Sequence, residues 1–142
     1  MKHEQLLALA CRYAQYSTMY YRHGCVAVVH GKPIAYGFNH QRNYSKDKII
    51  SNCCCCHAEV AAIRNAFKYK HKFKRMSLYI VRLTKTNHMI DSRPCHHCYL
   101  QMMKHGIRRI IYSMTPTTYV CMKVSDYIPN KMSEGDEYYR SL

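Results

Sequence analysis

The sequence predicts an α/β fold, a three-layer α/β/α sandwich around a mixed five-stranded sheet. Apolar, β-branched runs alternate with segments of helical periodicity in the order strand, helix, strand, helix, strand, which is typical of parallel pairing through right-handed crossovers. Only about half a dozen residues separate the last two strands, too few for a parallel crossover, so the fifth strand is expected to be antiparallel. We expect one domain over residues 1–142, with a core of 1–125 and a loosely attached tail of 126–142.

The first part of the chain predicts a helix and a hairpin. Apolar residues at three- and four-residue intervals predict an amphipathic helix over 2–20. The apolar runs 25–29 and 34–38 flank turn residues around Gly31, which predicts a β-hairpin. The polar and basic stretch 39–52 has no periodicity, so we expect a mobile loop that leads to the functional site.

The second part of the chain predicts two helices that alternate with strands. The segment 57–69 places apolar residues and alanines on one helical face and ends in a cluster of cations, which suits a helix C-terminus. The segment 94–105 begins with Pro94 and is followed by Gly106, the residue types that favour a helix start and a helix end. Strands are predicted at 78–81, 107–112 and 119–123.

Charge, hydropathy and cysteine content limit the functional classes. The formal net charge is +14, and the acidic excess from Asp126 onward leaves +16 on the first 125 residues. Such a body attracts polyanions or anionic small molecules, although a solvated basic face is the plain alternative. No segment approaches roughly 18 uninterrupted apolar residues and no secretory leader is visible, so no membrane partner is expected. Nine cysteines, an odd number with four contiguous at 53–56, favour reduced thiols in the cytoplasm or another reducing compartment.

Two short motifs, each at a predicted helix start, carry the chemistry. His-Ala-Glu occupies 57–59, and Pro-Cys-His-His-Cys occupies 94–98. Cys95 and Cys98 lie one turn apart at a helix N-terminus, where the helix dipole favours thiolate. If both helices lie on the same face of the sheet, their N-termini converge and bring His57 to the two sulfurs. These three side chains are a ligand set for a catalytic zinc, which needs three protein ligands and one open position.

Glu59 follows two residues after His57, beside the metal without being a necessary ligand. A carboxylate there can accept a proton from water that zinc activates and deliver it to the substrate. A closed structural zinc site, with Cys56 or His97 as fourth ligand, is an alternative. The run 53–57 also matches the C-x-x-C-H haem pattern, which the absence of an export signal disfavours.

The paired motifs resemble those of the zinc-dependent cytidine/deoxycytidylate deaminase-like superfamily, whose pattern is H-x-E followed by P-C-x-x-C. The likeness extends from about Gly24 to Tyr112. It implies a cytidine deaminase-like fold, Zn²⁺ as cofactor, and a hydrolytic reaction in which water attacks C4 of cytosine or C6 of a purine and ammonia leaves. It implies association into a homo-oligomer. The residues it assigns are His57, Cys95 and Cys98 as zinc ligands and Glu59 as the catalytic proton carrier.

The resemblance also bears on the substrate. It implies that the Ala58 backbone contacts the base and that Asn39 contacts the sugar. A histidine before Ala-Glu resembles the deoxycytidylate, transfer-RNA and polynucleotide branches, whereas an antiparallel fifth strand resembles the free-cytidine branch. We expect a cytosine nucleoside or nucleotide as substrate, that is cytidine, deoxycytidine or dCMP.

Two alternatives stay open. The basic body and the cluster Lys68–Arg75 are compatible with deamination of bases in RNA or single-stranded DNA. A non-enzymatic, basic nucleic-acid-binding or structural protein on the same scaffold is the second alternative, because fold does not determine function.

Overall fold

A mixed β-sheet covered by helices on both faces forms the body of the protein. The structure is a computed structural model that describes residues 2–40 and 57–129. The elements in chain order are α1 (His3–Ala14), β1 (Arg22–Val29), β2 (Lys32–Phe38), α2 (Ala58–Asn65), a 3-10 segment (Phe67–Arg75), β3 (Met76–Leu83), β4 (Met89–Ile90), α3 (His96–His105), β5 (Arg109–Thr115), β6 (Thr118–Lys123) and a 3-10 turn (Val124–Asp126).

The sheet has the strand order β2-β1-β3-β5-β6, and the two-residue strand β4 pairs with β3. The β3–β5 pair is parallel, whereas β1–β2, β1–β3 and β5–β6 are antiparallel. The predicted mixed sheet and its antiparallel last strand are confirmed. The sheet has one strand more than predicted, because β4 forms between β3 and α3, where no strand was predicted. Strand β1 also lies between β2 and β3, so the crossover through α2 does not join neighbouring strands.

The helices form two layers on opposite faces of the sheet. Leu6, Leu7 and Ala10 of α1 pack against residues of β1 and β3 on one face. The apolar residues of α2 and α3 pack together on the other face in a second core cluster. The predicted three-layer α/β/α arrangement is therefore confirmed, and α2 and α3 share a face as the metal hypothesis requires.

The hairpin between β1 and β2 has the turn that its residues favour. His30 and Gly31 have φ angles of 52° and 75°. Two consecutive left-handed residues are typical of a type I′ turn, whose twist matches that of the paired strands. Pro33 lies in β2 where the register shifts, and β2 is an edge strand, the place where a residue without a backbone N–H is tolerated.

The C-terminal ends of the three helices can be compared with those that the sequence predicts. Helix α1 ends at Ala14 rather than near residue 20, and the Ser17 hydroxyl accepts a hydrogen bond from the Met19 N–H just beyond it. Such local side-chain bonds compete with helix continuation. Helix α2 ends at Asn65 rather than at residue 69, and a 3-10 segment, Phe67–Arg75, follows. Lysines four residues apart in that run, such as Lys68 and Lys72, repel each other on an α-helix. Helix α3 ends at Gly106 in the left-handed conformation, with φ 74°, as predicted.

Two glycines bring helices close to the sheet. A Cβ atom on Gly24 would lie 2.1 Å from the Ala10 carbonyl oxygen of α1. A Cβ atom on Gly37 would lie 2.5 Å from the Ala58 carbonyl oxygen of α2. Real Cβ atoms do not approach backbone so closely, so each helix rests on the sheet because the strand residue beneath it has no side chain.

Several sequence expectations lie wholly or partly outside the described residues. The run 53–56 and residues 41–52 of the expected loop are among them, and so is the tail from residue 130. Within the described part of the tail, Tyr127 is buried. The single domain with a loosely attached tail stays a prediction. None of the helices in the described parts combines the length and apolar character needed to cross a bilayer.

Candidate metal centre and active site

The first turn of α2 positions His57 and Glu59. His57 is the N-cap of α2 and has extended backbone angles, φ −75° and ψ 151°. The turn that follows lies directly over Gly37 of β2, as described above. The position of this first turn is therefore determined by backbone packing against Gly37. The His57 side chain is held at the N-terminal end of α2, which faces α3.

The first turn of α3 positions the two cysteines. Cys95 is the N-cap, with φ −74° and ψ 169°, and its carbonyl accepts the Tyr99 N–H at 3.0 Å. Cys98 lies in the first turn and is fully buried. Both sulfurs therefore lie on one side of a helix N-terminus, where the positive end of the helix dipole stabilises thiolate.

The two helix starts meet as predicted. The Nδ1 atom of His57 lies 3.1 Å from the Cys98 sulfur and 3.4 Å from the Cys95 sulfur. In a tetrahedral zinc site the nitrogen and sulfur ligand atoms lie roughly 3.6 Å apart, so these side chains fit the ion with little movement. Across residues 2–40 and 57–129 they form the one group of three or more such side chains able to hold a metal ion.

The pKa values of the two thiols are shifted in opposite directions. The hydrogen bond with Cys98 lowers the pKa of Cys95 to about 3, and the same contact with burial raises the pKa of Cys98 well above its ordinary value. One proton is thus held between two sulfurs, and a divalent cation can take its place. Thiolate, thiolate and neutral imidazole are the donor types that zinc prefers.

The closed-site alternative gains no ligand from the described residues. The His97 ring centroid lies 6.1 Å from that of His57 in an edge-to-face arrangement, and His97 does not belong to the ligand group. Cys56 lies outside the described residues.

Glu59 lies inside the fold beside this group. Its side chain is 5% exposed and hydrogen-bonds to the Cys98 side chain. Burial raises the pKa of the Glu59 carboxyl above its ordinary value, although the nearby His57 acts in the opposite direction. A carboxyl with a raised pKa can both accept and return a proton near neutral pH, which is what a general acid and base requires.

A cavity of about 160 Å³ opens between these residues and the ends of β1 and β3. At about 30 Å³ per liquid water, it has room for about five waters, the scale of one small ring system. Its walls include His57, Glu59 and Cys95, together with His23, Ile80, Arg82, Asp91, Ser92 and Arg93. A larger cavity of about 580 Å³ lies along β2 and α2 and shares no lining residue with the metal-ligand group.

Sequence reasoning missed the charged and imidazole side chains of the cavity wall. His23 is the second residue of β1 and pairs with Arg82 near the end of β3. Burial, followed by the positive charge of Arg82, lowers the pKa of His23 to about 4. His23 is therefore a neutral hydrogen-bonding group at pH 7. Arg93 forms an ion pair with Asp91 at 2.5 Å. The position of Arg82 near a strand end was the available signal, since α/β sheets bind ligands there.

Asn39 and Ala58, the two predicted substrate contacts, both lie close to the site, Asn39 after β2 and Ala58 in the first turn of α2. Asn39 is buried at the end of β2, where its Oδ1 accepts the His23 N–H at 2.8 Å and its Nδ2 donates to the Tyr21 carbonyl at 2.6 Å. Its amide thus fastens the segment before β1 to the end of β2. Ala58 is fully buried in the first turn of α2. Their contacts with a sugar and a base stay predictions.

A buried pair of serines supports the segment that carries Cys95. The Ser113 hydroxyl on β5 lies 2.7 Å from the Ile90 carbonyl and 2.9 Å from the Ser92 hydroxyl. Ser92 in turn reaches the carbonyls of Ile80 and Ser113. The chain between β4 and α3 is therefore tied to two central strands just before the first cysteine ligand.

Tyr127 holds the same segment from the other side. Its hydroxyl donates to the Pro94 carbonyl at 2.6 Å, one residue before Cys95. The residue that ends the 3-10 turn after β6 is thus in contact with the start of α3.

The fold and the ligand group define a metal-binding α/β/α protein with a buried carboxylate beside the metal position. The family model of the cytidine and deoxycytidylate deaminase zinc-binding region matches residues 1–114. The chain therefore belongs to this family of zinc-binding deaminases, and His57, Cys95 and Cys98 are positioned to bind the metal ion. No curated protein matches the chain with statistical significance.

Solved structures share this fold at low sequence identity. The cytidine deaminase from Burkholderia pseudomallei is 16% identical, with a TM-score of 0.69 over 93% of this chain and 100% of that one. The dCMP deaminase from the cyanophage S-TIM5, in apo form, is 22% identical, with a TM-score of 0.59 over 80% of this chain and 86% of that one. Cytidine and dCMP deaminases both share the architecture, so the fold alone does not distinguish their substrates.

Replacement of a ligand is expected to remove the metal. Cys98→Ser replaces a buried sulfur by a poorer zinc ligand, so the purified variant should lose stoichiometric zinc, measured by atomic emission. The matched control is Cys121→Ser on β6, an exposed cysteine, which should keep its zinc. Full zinc content in folded Cys98→Ser protein would contradict this ligand assignment.

Gly37→Ala should act on the metal centre through α2. The added methyl overpacks the contact with Ala58, and we expect a loss of about 1–3 kcal/mol in the free energy of unfolding. The matched control is Gly24→Ala, which overpacks against α1, a helix without a metal ligand. Both variants should be less stable by chemical denaturation, but only Gly37→Ala should bind zinc more weakly in the folded state. Equal zinc affinity in the two variants would argue against the role of this contact.

Ser113→Ala should loosen the support of Cys95. It leaves buried acceptors without their donor, so the free energy of unfolding should fall by about 1–3 kcal/mol. Zinc should also dissociate faster to a chelator. Ser77→Ala, near the start of the neighbouring strand β3, serves as control and should change neither quantity appreciably. An unchanged zinc dissociation rate in Ser113→Ala would show that the serine pair acts on stability alone.

Proposed function

We propose that the protein is a zinc-dependent hydrolytic deaminase of a cytosine nucleoside or nucleotide: cytidine, deoxycytidine or dCMP. The observation that carries the proposal is the buried Glu59 carboxyl beside the group His57, Cys95 and Cys98, in a cavity of about 160 Å³. A merely structural metal site has no need of a buried carboxyl next to its ligands, because burial of an ionisable group is costly. Membership in a deaminase family supports the same reaction class.

The site residues have different roles in the proposed reaction. His57, Cys95 and Cys98 would hold the zinc ion, which when bound supplies Lewis-acid activation of water at neutral pH. Glu59 accepts one proton from the attacking water and delivers it to a ring nitrogen, and then carries the second proton, from the hydroxyl on C4, to the departing amine. The oxygen of water ends on C4 of the base, the C4–N bond breaks, and ammonia leaves. The raised pKa of Glu59 suits both directions of proton transfer.

The cavity walls favour an anionic substrate. Arg82 and Arg93 line the cavity, and Asp91 offsets the charge of Arg93 through its ion pair. The formal charge of +14 adds a long-range attraction for anions. The cyanophage S-TIM5 dCMP deaminase, a structural neighbour at 21% identity, has been solved in complex with dCMP and dUMP. These observations support dCMP ahead of the two nucleosides.

The remaining assignments follow the family resemblance. Asn39 would contact the sugar, either directly or by holding the segment Tyr21–His23 that borders the cavity. The Ala58 backbone would contact the base. We also propose that the chain forms a homo-oligomer and works in the cytoplasm or another reducing intracellular compartment, where the thiol ligands stay reduced.

Glu59→Gln is the direct test of the mechanism. The amide keeps the size of the side chain but cannot carry the proton, so kcat should fall by about 10²- to 10⁴-fold or more while zinc stays bound. Deamination of cytidine, deoxycytidine and dCMP is followed by absorbance, with zinc measured on the same samples. Glu4→Gln, an exposed carboxylate on α1, is the matched control and should retain full activity. A zinc-loaded wild-type protein that deaminates none of the three substrates would overturn the proposal.

A further inference from the structure

A group of cations lies at the end of the sheet where β3 and β5 begin. They belong to four neighbouring segments: the 3-10 segment before β3, the end of α3, the start of β5 and the end of β6. We call this surface the basic end and define it by Lys70, Lys72, Lys74, Arg75, Lys104, Arg108, Arg109 and Lys123. Lys72 and Arg109 are half-buried, and the others are exposed.

Backbone hydrogen bonds join three of these segments. The Arg108 N–H donates to the Met76 carbonyl at 3.0 Å, and Met76 directly follows Arg75. The Arg108 carbonyl accepts the Val124 N–H at 2.9 Å, and Val124 directly follows Lys123. The basic residues at these ends of β3, β5 and β6 are therefore held beside one another.

Strand pairing and a glycine contact extend the same surface. Arg109 pairs with Ser77 of β3 on one side and with Lys123 of β6 on the other. Neighbouring strands lie about 4.8 Å apart, so these three strand ends span about 10 Å. A Cβ atom on Gly106, which ends α3, would lie 4.0 Å from the Lys74 side chain. The basic end is thus one continuous surface.

The described carboxylates leave the basic end with a large positive charge. In residues 2–40 and 57–129, Glu59 lies in the active site, Asp91 is already in an ion pair, and Glu4 lies on α1. Asp126 lies three residues after Lys123, but no ion pair joins any of the cations of the basic end to a carboxylate of these ranges. Cations within a Debye length of about 8–10 Å repel one another, and a bound polyanion relieves that repulsion.

The aromatic rings of the 3-10 segment favour a partner that presents phosphates rather than unpaired bases. Single strands are held by bases that stack on aromatic rings as well as by cations. Tyr69 is half-buried, and the ammonium groups of Lys68 and Lys72 lie 5.4 and 6.0 Å from its ring centroid. Phe67 and Phe73 pack in the core. A nucleic-acid duplex turns its bases inward and carries one charge per about 1.7 Å of its axis, which fits a surface of cations without a free ring.

A bilayer surface fits the basic end less well than a duplex does. Stable attachment of a protein to a membrane takes a second signal besides a basic patch, such as inserted apolar groups. Within the described residues of the four segments, Met103, beside Lys104 on α3, is the one exposed large apolar side chain. The observations therefore favour the phosphate backbone of a duplex.

The basic end and the metal centre lie at opposite ends of β3. Arg75 directly precedes this strand, and Arg82, near its other end, lines the active-site cavity. A rise of about 3.3 Å per residue places these two ends of the strand about 20 Å apart. A duplex on the basic end thus leaves the cavity accessible to a free nucleotide.

We propose that the basic end docks the phosphate backbone of a nucleic-acid duplex, independently of the base sequence. The duplex is an anchor and not a substrate, because its cytosines are paired and the metal centre lies at the other end of β3. The protein can therefore act on free dCMP while it is bound to the duplex. The inference rests on the charge and the contacts of the basic end and not on the proposed reaction.

Binding of a fluorescein-labelled duplex, followed by anisotropy as the salt concentration is varied, tests the proposal. With a duplex of about 20 base pairs, four or more phosphate contacts should give a slope of log affinity against log salt of about −3.6 or steeper. A shallower slope overturns the proposal. Duplexes of two unrelated sequences should bind equally, and a strong preference for one of them would also overturn it. A DNA and an RNA duplex distinguish the two sources of this backbone.

Two double variants, each lacking two cations, locate the contact. Lys74→Gln/Arg108→Gln in the basic end should make the slope shallower by about 1.8 and weaken binding roughly 10- to 100-fold near about 0.1 M salt. The matched control, Arg12→Gln/Lys85→Gln, removes two exposed cations elsewhere and should change both quantities far less. Circular dichroism and zinc content should match the wild type in both variants. Equal effects on binding would reflect net charge alone and overturn the docking surface.

Competing ligands and dCMP turnover complete the test. Unlabelled single-stranded polythymidylate and vesicles that contain phosphatidylserine should displace the duplex only weakly, and tighter binding of either one overturns the assignment of a duplex. Saturating duplex should leave kcat/KM for dCMP unchanged, whereas inhibition in proportion to bound duplex would place the duplex over the cavity and overturn the proposal. A protein without dCMP turnover whose duplex binding still depends on Lys74 and Arg108 would overturn the proposed reaction and support the docking surface.

Discussion

The meeting of two helix N-termini on one face of the sheet is the constraint on which the rest of the site depends. Helices α2 and α3 each begin with an extended N-cap residue that is also a metal-binding side chain. Their dipoles point positive ends at the same small volume, which is unfavourable without negative charge there. The Cys95 thiolate, which is hydrogen-bonded to the protonated Cys98, supplies negative charge there, so the electrostatics of the helices and the chemistry of the site have one common origin. A zinc ion that replaced the shared proton would add positive charge that both sulfurs, then as thiolates, could offset.

The parts predicted from sequence are those that depend on local chemistry. The hairpin turn at Gly31, the end of α3 at Gly106 and the antiparallel last strand each follow from a few adjacent residues or from one connection length. Strand order is different, because it depends on which distant segments pair. Nothing local shows that β1 lies between β2 and β3, or that Met89 and Ile90 add a short strand.

The residues of the candidate site also fall into two groups: those that a local motif predicts and those that reach the site only through the pairing of distant strands. The spacing of His57, Cys95 and Cys98 predicts a metal group because each motif sits at a helix start, and the distances between their atoms agree with it. His23 and Arg82 enter the cavity wall only because β1 pairs with β3 in one register, which no motif encodes. Asn39 was singled out by its place in a resemblance. Its amide is bonded to the backbone near Tyr21 and His23, a structural task that the motif does not reveal.

The hydrogen bond from Tyr127 to the Pro94 carbonyl also has a consequence for the order in which the chain folds during synthesis. The ligand residues leave the ribosome well before Tyr127, and β5 and β6 must pair before that hydroxyl can reach the start of α3. Contacts between residues so far apart in sequence form late, because loop closure must precede them. The metal ligands are thus made early in translation and supported late. The start of α3 therefore has its full support only once the chain has been made as far as Tyr127.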